Sequence, residues 1–234
     1  EAFKQLGFSG MEEVALGADL CTIQESEDFL EEVPEKIPFM GTSCCPAWSV
    51  MAKKEFPKNA DCISMALTPM TLTARLIRKQ HPNAKIVFVG PCSAKKLEAM
   101  RESVRSEVDF VLTFEEMAGM MSAKQIDYTK LAGEGGDFDV ASADGRGFAV
   151  AGGVATAVAN AIHKRYPERE VKVANAEGLE ECRKLMKDAV KGKYDGYLLE
   201  GMACPGGCVA GAGTLTAVNK TAAAVKRYAK TSPR

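Results

Sequence analysis

The chain has 234 residues, of which 46% are hydrophobic and 26% charged, and its 30 Lys and Arg against 31 Asp and Glu leave a net charge of −1. Such a length and composition are typical of a globular protein with one large domain or two lobes. The balanced charge excludes an overall attraction to nucleic acid. No apolar run reaches the roughly 20 residues of a membrane helix, and no signal peptide is recognisable, so we expect a cytoplasmic protein without a membrane span.

The first third of the chain predicts short helices and strands in alternation. Residues 1–18 are typical of a short helix and a connector, and the chain begins at Glu1 rather than Met, so we expect that an upstream part is missing. The acidic stretch at 24–30 predicts a helix start. Further along, the pattern predicts a strand at 37–40, a helix at 46–56 opened by Pro46, a strand at 62–65 and a helix at 68–79.

The rest of the chain continues this alternation. Apolar runs predict strands at 85–89, 108–112, 171–174 and 197–199, while helical spacing predicts helices at 94–104, from 114 onward behind a cap at Thr113, at 152–164 and at 178–190. Residues 123–147 are polar and contain glycine, which predicts a loop. Alternating strands and helices indicate an α/β fold with mainly parallel sheets flanked by helices.

Eight cysteines could be disulfide partners, metal ligands or buried thiols. A secreted disulfide framework is usually small and rich in loops, whereas this chain has long α/β patterning, so we favour reduced thiols. Free cysteine is among the most buried residue types. We therefore expect Cys21, Cys62 and Cys182 to be small core residues rather than ligands.

The other five cysteines lie in three loops, each directly after an apolar strand candidate. These loops are TSCCPAW at 42–48, PCSAKK at 91–96 and ACPGGC at 203–208. Parallel α/β sheets place ligands at the carboxyl ends of their strands, so the loops can converge. Thiolates select zinc, copper(I) or iron–sulfur clusters. The sequence thus predicts one metal site built from three loops, and a structural four-cysteine zinc site stays open as an alternative.

Three segments carry a resemblance to a known family. TSCCPAW at 42–48, PCSAKKLE at 91–98 and EGMACPGGC at 200–208, in this order, resemble the three signature segments of the FeFe-hydrogenases. The similarity runs from about residue 17 to about residue 211. The resemblance implies two lobes of mainly parallel twisted sheets with a metal cluster in the cleft between them. We expect residues 1–82 with 204–234 to form the first lobe and residues 83–203 the second.

The resemblance also implies an H-cluster, in which a 4Fe–4S cubane is joined to a di-iron subcluster carrying CO, cyanide and a bridging dithiolate amine. At the matching positions, Cys45, Cys92, Cys204 and Cys208 would hold the cubane, and Cys208 would bridge to the di-iron subcluster. Cys44 would exchange a proton with the bridging amine. A thiol suits that role, because its surroundings can move its pKa toward neutrality.

The remaining residues implied by the resemblance surround the di-iron unit or lead away from it. Lys95 would hydrogen-bond a cyanide ligand, since an ammonium group is a natural donor to an anion. The proton route would run from Cys44 through a water to Glu25, then Ser64, then Asp28. The pocket wall would be formed by Met202, Pro91 and Phe148, with Thr42, Ser43 and Ser64 supplying short hydroxyl groups.

The chain departs from the family pattern at three places. Asp28 stands where Glu is more frequent, and Gly90 stands where catalytic members usually carry Met. The end of the chain is an alanine-rich basic helix instead of a glycine-rich tail, and we expect residues 220–234 to be an exposed helix face and a frayed end. Read without the family, Glu25 and Asp28 would be first-turn acids favoured by the helix dipole, and Lys95 would lie on a solvated helix face.

Three functions remain open at this point. The first is an oxidoreductase that reversibly reduces protons to H2, and retention of Cys44, Glu25 and Ser64 favours it. The second is a hydrogen-sensing relative, and the third is a cubane-only protein of iron–sulfur assembly. The chain contains no run of closely spaced cysteines of the ferredoxin type, so electrons would have to come from a ferredoxin or from an iron–sulfur domain or subunit. The resemblance also implies dependence on hydrogenase maturation proteins.

Overall fold

A computed structural model describes residues 1–131 and 140–232. Helices and parallel strands alternate along the chain. The strands are β1 (Met40–Gly41), β2 (Val87–Gly90), β3 (Phe110–Thr113), β4 (Lys172–Glu177) and β5 (Tyr197–Met202). The helices are α1 (Ala2–Gln5), α2 (Ala15–Glu32), α3 (Pro46–Glu55), α4 (Pro69–Gln80), α5 (Ala94–Met100), α6 (Phe114–Ala123), α7 (Ala143–Gly147), α8 (Gly153–Arg165), α9 (Leu179–Ala189) and α10 (Val218–Ala229). Short 3-10 turns occupy Pro57–Cys62, Tyr128–Lys130 and Cys208–Ala210.

The strands form two parallel sheets. One has the order β1-β5-β4, with Met40 opposite Leu198, and the other pairs β2 with β3. Because all pairs are parallel, the carboxyl ends of the strands within each sheet point the same way. The predicted α/β class with parallel sheets is confirmed. The three-stranded sheet joins β1 from the predicted first lobe to β4 and β5 from the second, so the lobe boundaries do not follow the sheets and the lobe assignment stays a prediction.

The main core lies against the three-stranded sheet and is centred on Trp48, which is fully buried. The indole Nε1 donates to the Thr42 carbonyl at 3.0 Å. A Cβ at Gly201 would lie 2.1 Å from the indole ring, so only glycine lets β5 pass this close. Trp48 therefore joins the loop after β1 to the end of β5. Cys62 and Cys182 belong to the same core, as expected.

The start of α2 was wrongly predicted. The helix begins at Ala15, ten residues before Glu25, and its N-cap residue Val14 supplies no side-chain hydrogen bond. Without a capping side chain, the sequence gives no strong start signal. Glu25 and Asp28 consequently lie in the middle of a helix, and the alternative of first-turn acids is wrong. Glu25 instead faces inward and is completely buried.

Two other segments differ from the predicted pattern. Residues 62–65 do not form a strand: a 3-10 turn ends at Cys62, and Ile63 makes a single parallel bridge with Gly41. The predicted loop at 123–147 contains the helix α7, capped by Ser142, whose hydroxyl accepts from the Gly145 N–H. Residues 132–139 of that loop lie outside the described residues. The cap at Thr113 is confirmed, with a reciprocal bond from Glu116.

The beginning and end of the described chain meet at Arg146. Its guanidinium forms a double ion pair with Glu13, at 2.9 and 3.0 Å, and lies over the Tyr228 ring at 4.1 Å. Arg146 is buried, and such forked pairs are geometrically specific. This contact fixes α10 against α7 and the segment before α2. None of the helices in the described ranges is long and apolar enough to cross a membrane.

Candidate metal centre

Each cysteine loop follows the end of a parallel strand. Cys45 is the N-cap residue of α3, Cys92 comes two residues after β2, and Cys204 comes two residues after β5. Cys208 opens the 3-10 turn that follows. All four are half-buried free thiols. The fold therefore delivers them to strand ends, as the sequence predicts.

The pKa values of the Cys204 and Cys208 thiols respond to the charges of neighbouring cysteines. Burial raises the pKa of Cys208 to about 12, and Cys45 and Cys92 add to the effect. Burial also raises the pKa of Cys204, again with Cys45 and Cys92 as further causes. Cys45 and Cys92 therefore lie within electrostatic range of both Cys204 and Cys208. A cationic metal cluster would remove this repulsion between thiolates.

Glycines bring the last loop close to its neighbours. Gly207 has φ +86°, and a Cβ there would lie 2.5 Å from the Ala151 nitrogen. A Cβ at Gly211 would lie 2.5 Å from the Pro91 carbonyl oxygen, and the Gly213 N–H donates to that same oxygen at 2.9 Å. These approaches hold the segment around Cys208 against the residue that precedes Cys92.

The described residues contain no site for a single metal ion. In residues 1–131 and 140–232, no three His, Cys, Asp or Glu side chains are grouped closely enough to bind one ion. A cubane spreads its four thiolates over a whole cluster rather than around one atom. The four cysteines are related by the effect of Cys45 and Cys92 on the pKa values of Cys204 and Cys208.

Glu25 lies directly behind the Cys44–Cys45 loop. Its Oε1 accepts a hydrogen bond from the Ser43 N–H at 2.7 Å, whereas its Oε2 has no partner among the described residues. Burial raises the pKa of Glu25 to about 7, although the Ser43 N–H and the nearby hydroxyl groups of Ser43 and Ser64 oppose this. A carboxyl group with this pKa can both accept and release a proton near neutrality.

Asp28 lies one turn beyond Glu25 on α2 and is half-buried. It is close enough for its charge to raise the pKa of Glu25, and it accepts a hydrogen bond at 2.8 Å from the exposed Gln24. Ser64 is buried, and its hydroxyl accepts from the Ala66 N–H at 3.1 Å. Glu25 therefore has two polar neighbours, the buried Ser64 and the half-buried Asp28, and we name these three residues the polar series.

Cys44 lies at the inner end of this series. Burial raises its pKa well above the ordinary value, and the Glu25 carboxylate and the Cys21 thiol add to the effect. This direction is opposite to the shift toward neutrality that the sequence led us to expect. Within the protein alone, Cys44 is thus a protonated thiol next to a carboxyl group that titrates near pH 7.

Lys95 is buried, so the alternative of a solvated helix face is wrong. Its ammonium group forms an ion pair with Glu98 at 2.6 Å and lies 3.3 Å from the Cys44 carbonyl oxygen. The other oxygen of Glu98 accepts from the Thr68 hydroxyl at 2.7 Å. The positive charge of Lys95 is therefore held beside the loop that carries Cys44, and the Glu98 carboxylate compensates it.

The residues expected to form the pocket wall are distributed around the cysteines. Met202 and Phe148 are buried in one apolar cluster, against which Cys44 and Cys45 pack. Pro91 is half-buried and contacts the loop after Cys208 through its carbonyl. Cys21 belongs to the same cluster as Met202 and is fully buried, as predicted.

At Gly90, a neighbour occupies the space of the missing side chain. A Cβ there would lie 2.7 Å from the Phe88 ring. A methionine at this position would therefore require Phe88 to move. Phe88 can occupy its position only because residue 90 is a glycine.

The sequence reasoning missed two buried acids. Glu98 stands three residues after Lys95, a helical spacing that signals an ion pair. Glu200 interrupts an apolar strand run, and its oxygens accept from the Gly152 and Ala155 N–H groups at 2.8 Å each. An acid within a buried strand is a recognisable signal, because it needs a partner.

Two cavities border these elements. The larger, of about 810 Å³, lies between the N-terminal segment, α4 and β2, and its lining includes none of the cysteines. The smaller, of about 180 Å³, is lined by Ser43, Ser64, Thr68 and Glu98, among others. The smaller cavity thus reaches both the polar series and the ion pair of Lys95.

The geometry can be compared with known proteins. The profile of the family described as "Iron only hydrogenase large subunit, C-terminal domain" matches residues 1–212. The chain belongs to this family. Its fold also matches a solved variant of FeFe-hydrogenase HydA1 from Chlamydomonas reinhardtii with a TM-score of 0.76 at 22% identity, covering 100% of this chain and 78% of that one. The family is iron–sulfur and metal-binding in character.

Relatives of two kinds are similar in sequence to this family member. Iron hydrogenase 1 of Clostridium pasteurianum is 28% identical over 253 residues, which cover 91% of this chain and 44% of that protein. Cytosolic Fe-S cluster assembly factor NAR1 of Debaryomyces hansenii is 32% identical over 142 residues, which cover 53% of this chain and 26% of that protein. The chain spans less than half the length of these two relatives, of which one is a hydrogenase and the other an assembly factor.

Proposed function

We propose that this domain holds an H-cluster and reversibly reduces protons to H2. The observation that carries the proposal is the position of Glu25, a fully buried carboxyl group with an unpartnered oxygen directly behind the cysteine loop. A buried carboxylate without a full set of hydrogen bonds destabilises the fold, so its presence here indicates a function. Its pKa of about 7 suits proton transfer.

The residues present fit the cofactor. Cys45, Cys92, Cys204 and Cys208 would hold the 4Fe–4S cubane of the H-cluster. The hydroxyl groups of Thr42 and Ser43 are buried and have no partner among the described residues. They could therefore donate hydrogen bonds to a cluster held by the neighbouring cysteines. When bound, the cluster would relay electrons from the electron partner to protons and would supply the metal chemistry that forms or cleaves H2.

The protein's part of the reaction is proton supply. Asp28 would take a proton from solvent, and the Ser64 hydroxyl would pass it to the free oxygen of Glu25. Glu25 would then exchange it with the Cys44 thiol through a water. Each step uses groups that lie in the polar series, and the near-neutral pKa of Glu25 lets protons move in both directions.

The other site residues would orient the cluster and Glu25 and would shield the site from water. Lys95, held by Glu98, would donate to an anionic ligand of the di-iron subcluster. The apolar side chains of Met202, Phe148 and Pro91 would exclude water, which strengthens electrostatic interactions inside the site. Ser43 would fix Glu25 through its backbone N–H.

We further propose that the protein acts in the cytoplasm with a ferredoxin or an iron–sulfur domain or subunit as electron partner. Hydrogenase maturation proteins would have to supply the di-iron subcluster. The free thiols of all eight cysteines support a reducing compartment. H2 and protons would be the substrates.

A second candidate is a non-turnover relative, either a hydrogen sensor or a cubane-only assembly protein. It is favoured by the similarity to NAR1 and by Gly90, whose space Phe88 fills. Such a protein would bind the cubane through the same four cysteines. It would have no use for a proton route through Glu25.

Infrared spectroscopy of protein matured anaerobically with the maturation proteins, followed by H2 evolution with a reduced dye, tests the proposal. Cyanide and CO stretching bands together with H2 release are the expected result, and Cys44→Ser should keep the bands while losing most of the turnover. Bands without turnover would favour a sensor. Iron and sulfide without bands after full maturation would leave a cubane-only protein and refute the di-iron assignment.

A further inference from the structure

Helix α10 lies against the loop that carries Cys204 and Cys208. The Val218 Cγ1 atom, at the start of the helix, lies 2.7 Å from where a Cβ of Gly206 would be. Gly206 has φ +103°, a conformation that favours glycine, and so allows this approach. The first turn of α10 therefore covers the outer side of the loop between the two cysteines.

The far end of α10 is fixed as well. Tyr228 lies over Arg146, which is held by Glu13 through its forked ion pair. With Val218 at one end and Tyr228 at the other, the helix has a defined orientation. One of its faces is committed to the protein and the opposite face to solvent.

The solvent face of α10 is basic. Residues 201–234 contain five Lys and Arg and no Asp or Glu, although the whole chain has a net charge of −1. At 100° per residue, four cations of α10 and its cap fall within an arc of about 120°. They are Lys220, Lys226, Arg227 and Lys230, and all four are exposed.

The opposite arc of the helix contains the residues that pack inward. Thr221, Ala222, Val225 and Ala229 are each half-buried. Within the described part of the chain, none of the four cations forms an ion pair with an acidic side chain. We name the exposed faces of Lys220, Lys226, Arg227 and Lys230 the basic strip.

We propose that the basic strip is the docking site of a small acidic electron-carrier protein of the ferredoxin type. Charge complementarity favours this occupant, since an uncompensated row of cations steers an acidic protein toward itself. Lys220 stands two residues after Val218, which contacts the Cys204–Cys208 loop, so a carrier docked at this end of the strip lies on the helix that covers the loop. The proposal rests on the proposed function. Each docking transfers one electron and releases an oxidised carrier, and two electrons with two protons give one H2.

A nucleic acid is the less favoured occupant. Single-stranded nucleic acid is usually bound by cations interleaved with aromatic rings on which bases stack. The aromatic residue of α10, Tyr228, stacks on Arg146 instead and does not belong to the strip. The neighbouring exposed positions are alanines, Ala223 and Ala224.

The test compares two triple variants of the matured protein. Lys220→Glu, Arg227→Glu and Lys230→Glu together reverse most of the basic strip. Lys124→Glu, Lys164→Glu and Lys187→Glu reverse three exposed cations elsewhere, at the cap of α6 and on α8 and α9. The readout is the ratio of H2 evolution driven by a reduced acidic two-cluster ferredoxin to that driven by reduced methyl viologen. We expect this ratio to fall at least about tenfold at low ionic strength in the strip variant only. An equal fall in both variants, or in neither, would refute the docking site.

A binding measurement separates this proposal from the proposed function. Calorimetric titration of oxidised ferredoxin into the cubane-loaded protein needs no turnover. We expect binding that weakens with salt and that the strip variant loses, even if no preparation evolves H2 and the proposed function fails. Unchanged ferredoxin affinity in the strip variant would refute the proposal, as would binding of a short DNA at least as tight as that of ferredoxin.

Discussion

Two buried glutamates, Glu25 on α2 and Glu200 on β5, differ in how their carboxylates are hydrogen-bonded. Both are essentially inaccessible to solvent. Both of Glu200's oxygens accept backbone N–H groups at the start of α8, at 2.8 Å each. Glu25 has one such bond and one oxygen without a partner in the described residues.

The difference lies in hydrogen-bond satisfaction and not in burial. Burial raises the pKa of both groups, but the backbone bonds oppose the shift at Glu200, whose charge also faces the positive end of a helix. Glu200 acts as a structural cap. Glu25 is left with a pKa of about 7 and an available oxygen, which suits it for moving protons. The following predictions test this contrast.

The largest effect should follow Glu25→Gln. The amide keeps the size and the bond from Ser43 but cannot carry a proton, so H2 evolution of the matured protein should fall at least about a hundredfold. The infrared bands of the cluster should remain. Glu200→Gln should keep most of the turnover in whatever protein folds, and equal losses per loaded cluster in the two variants would contradict the division of roles.

The pH dependence of stability should come next in size. The folded-state pKa of Glu25, about 7, exceeds the ordinary value of 4.5, so the folded state binds the proton more tightly. Its contribution is fully present below about pH 4.5 and is lost as pH rises through 7, which amounts to about 3 kcal/mol. Urea unfolding of wild type and Glu25→Gln under argon at pH 5 and pH 8 measures this. The variant should gain relative to wild type at the higher pH, and parallel curves would be the contrary result.

Glu200→Gln should destabilise the fold by about 2 kcal/mol at neutral pH. The amide replaces an acceptor with a donor facing a backbone N–H of α8, which leaves a buried donor unpaired. The same urea titrations report it, with Glu25→Gln as the matched control. A Glu200→Gln protein as stable as wild type would remove the argument that this carboxylate is structural.

The smallest effect should occur at Asp28. Because Asp28 is half-buried at the outer end of the series, water can partly replace it, and Asp28→Asn should lower H2 evolution only about tenfold or less. Asp28→Glu should retain the wild-type rate or exceed it. A loss as large as that of Glu25→Gln would place Asp28 among the indispensable groups.

The parts of the molecule that local signals encode could be predicted from sequence. Pro46 opens α3, Thr113 and Glu116 form the capping box of α6, and apolar runs precede each cysteine loop. The placement of each cysteine loop after a strand end could be predicted in the same way, and the convergence of the loops stays a prediction. These features depend on neighbours within a few residues or on a general rule of α/β folds.

The parts that depend on distant partners could not be predicted. The inward orientation of Glu25 required knowing that α2 begins at Ala15, where no capping side chain marks the start. Glu200 meets its partners 45 and 48 residues away in the chain. The burial of Lys95 depends on packing around Glu98 and Thr68, and the sequence alone shows only two adjacent lysines.

Trp48 gives the protein a built-in optical reporter. It is the single tryptophan of the chain, and it is fully buried between the Thr42 carbonyl and Gly201. Its emission therefore responds to the same short distance that holds the first and last cysteine loops together. We expect the fluorescence of this one residue to change when these loops open, and this can be measured without a label.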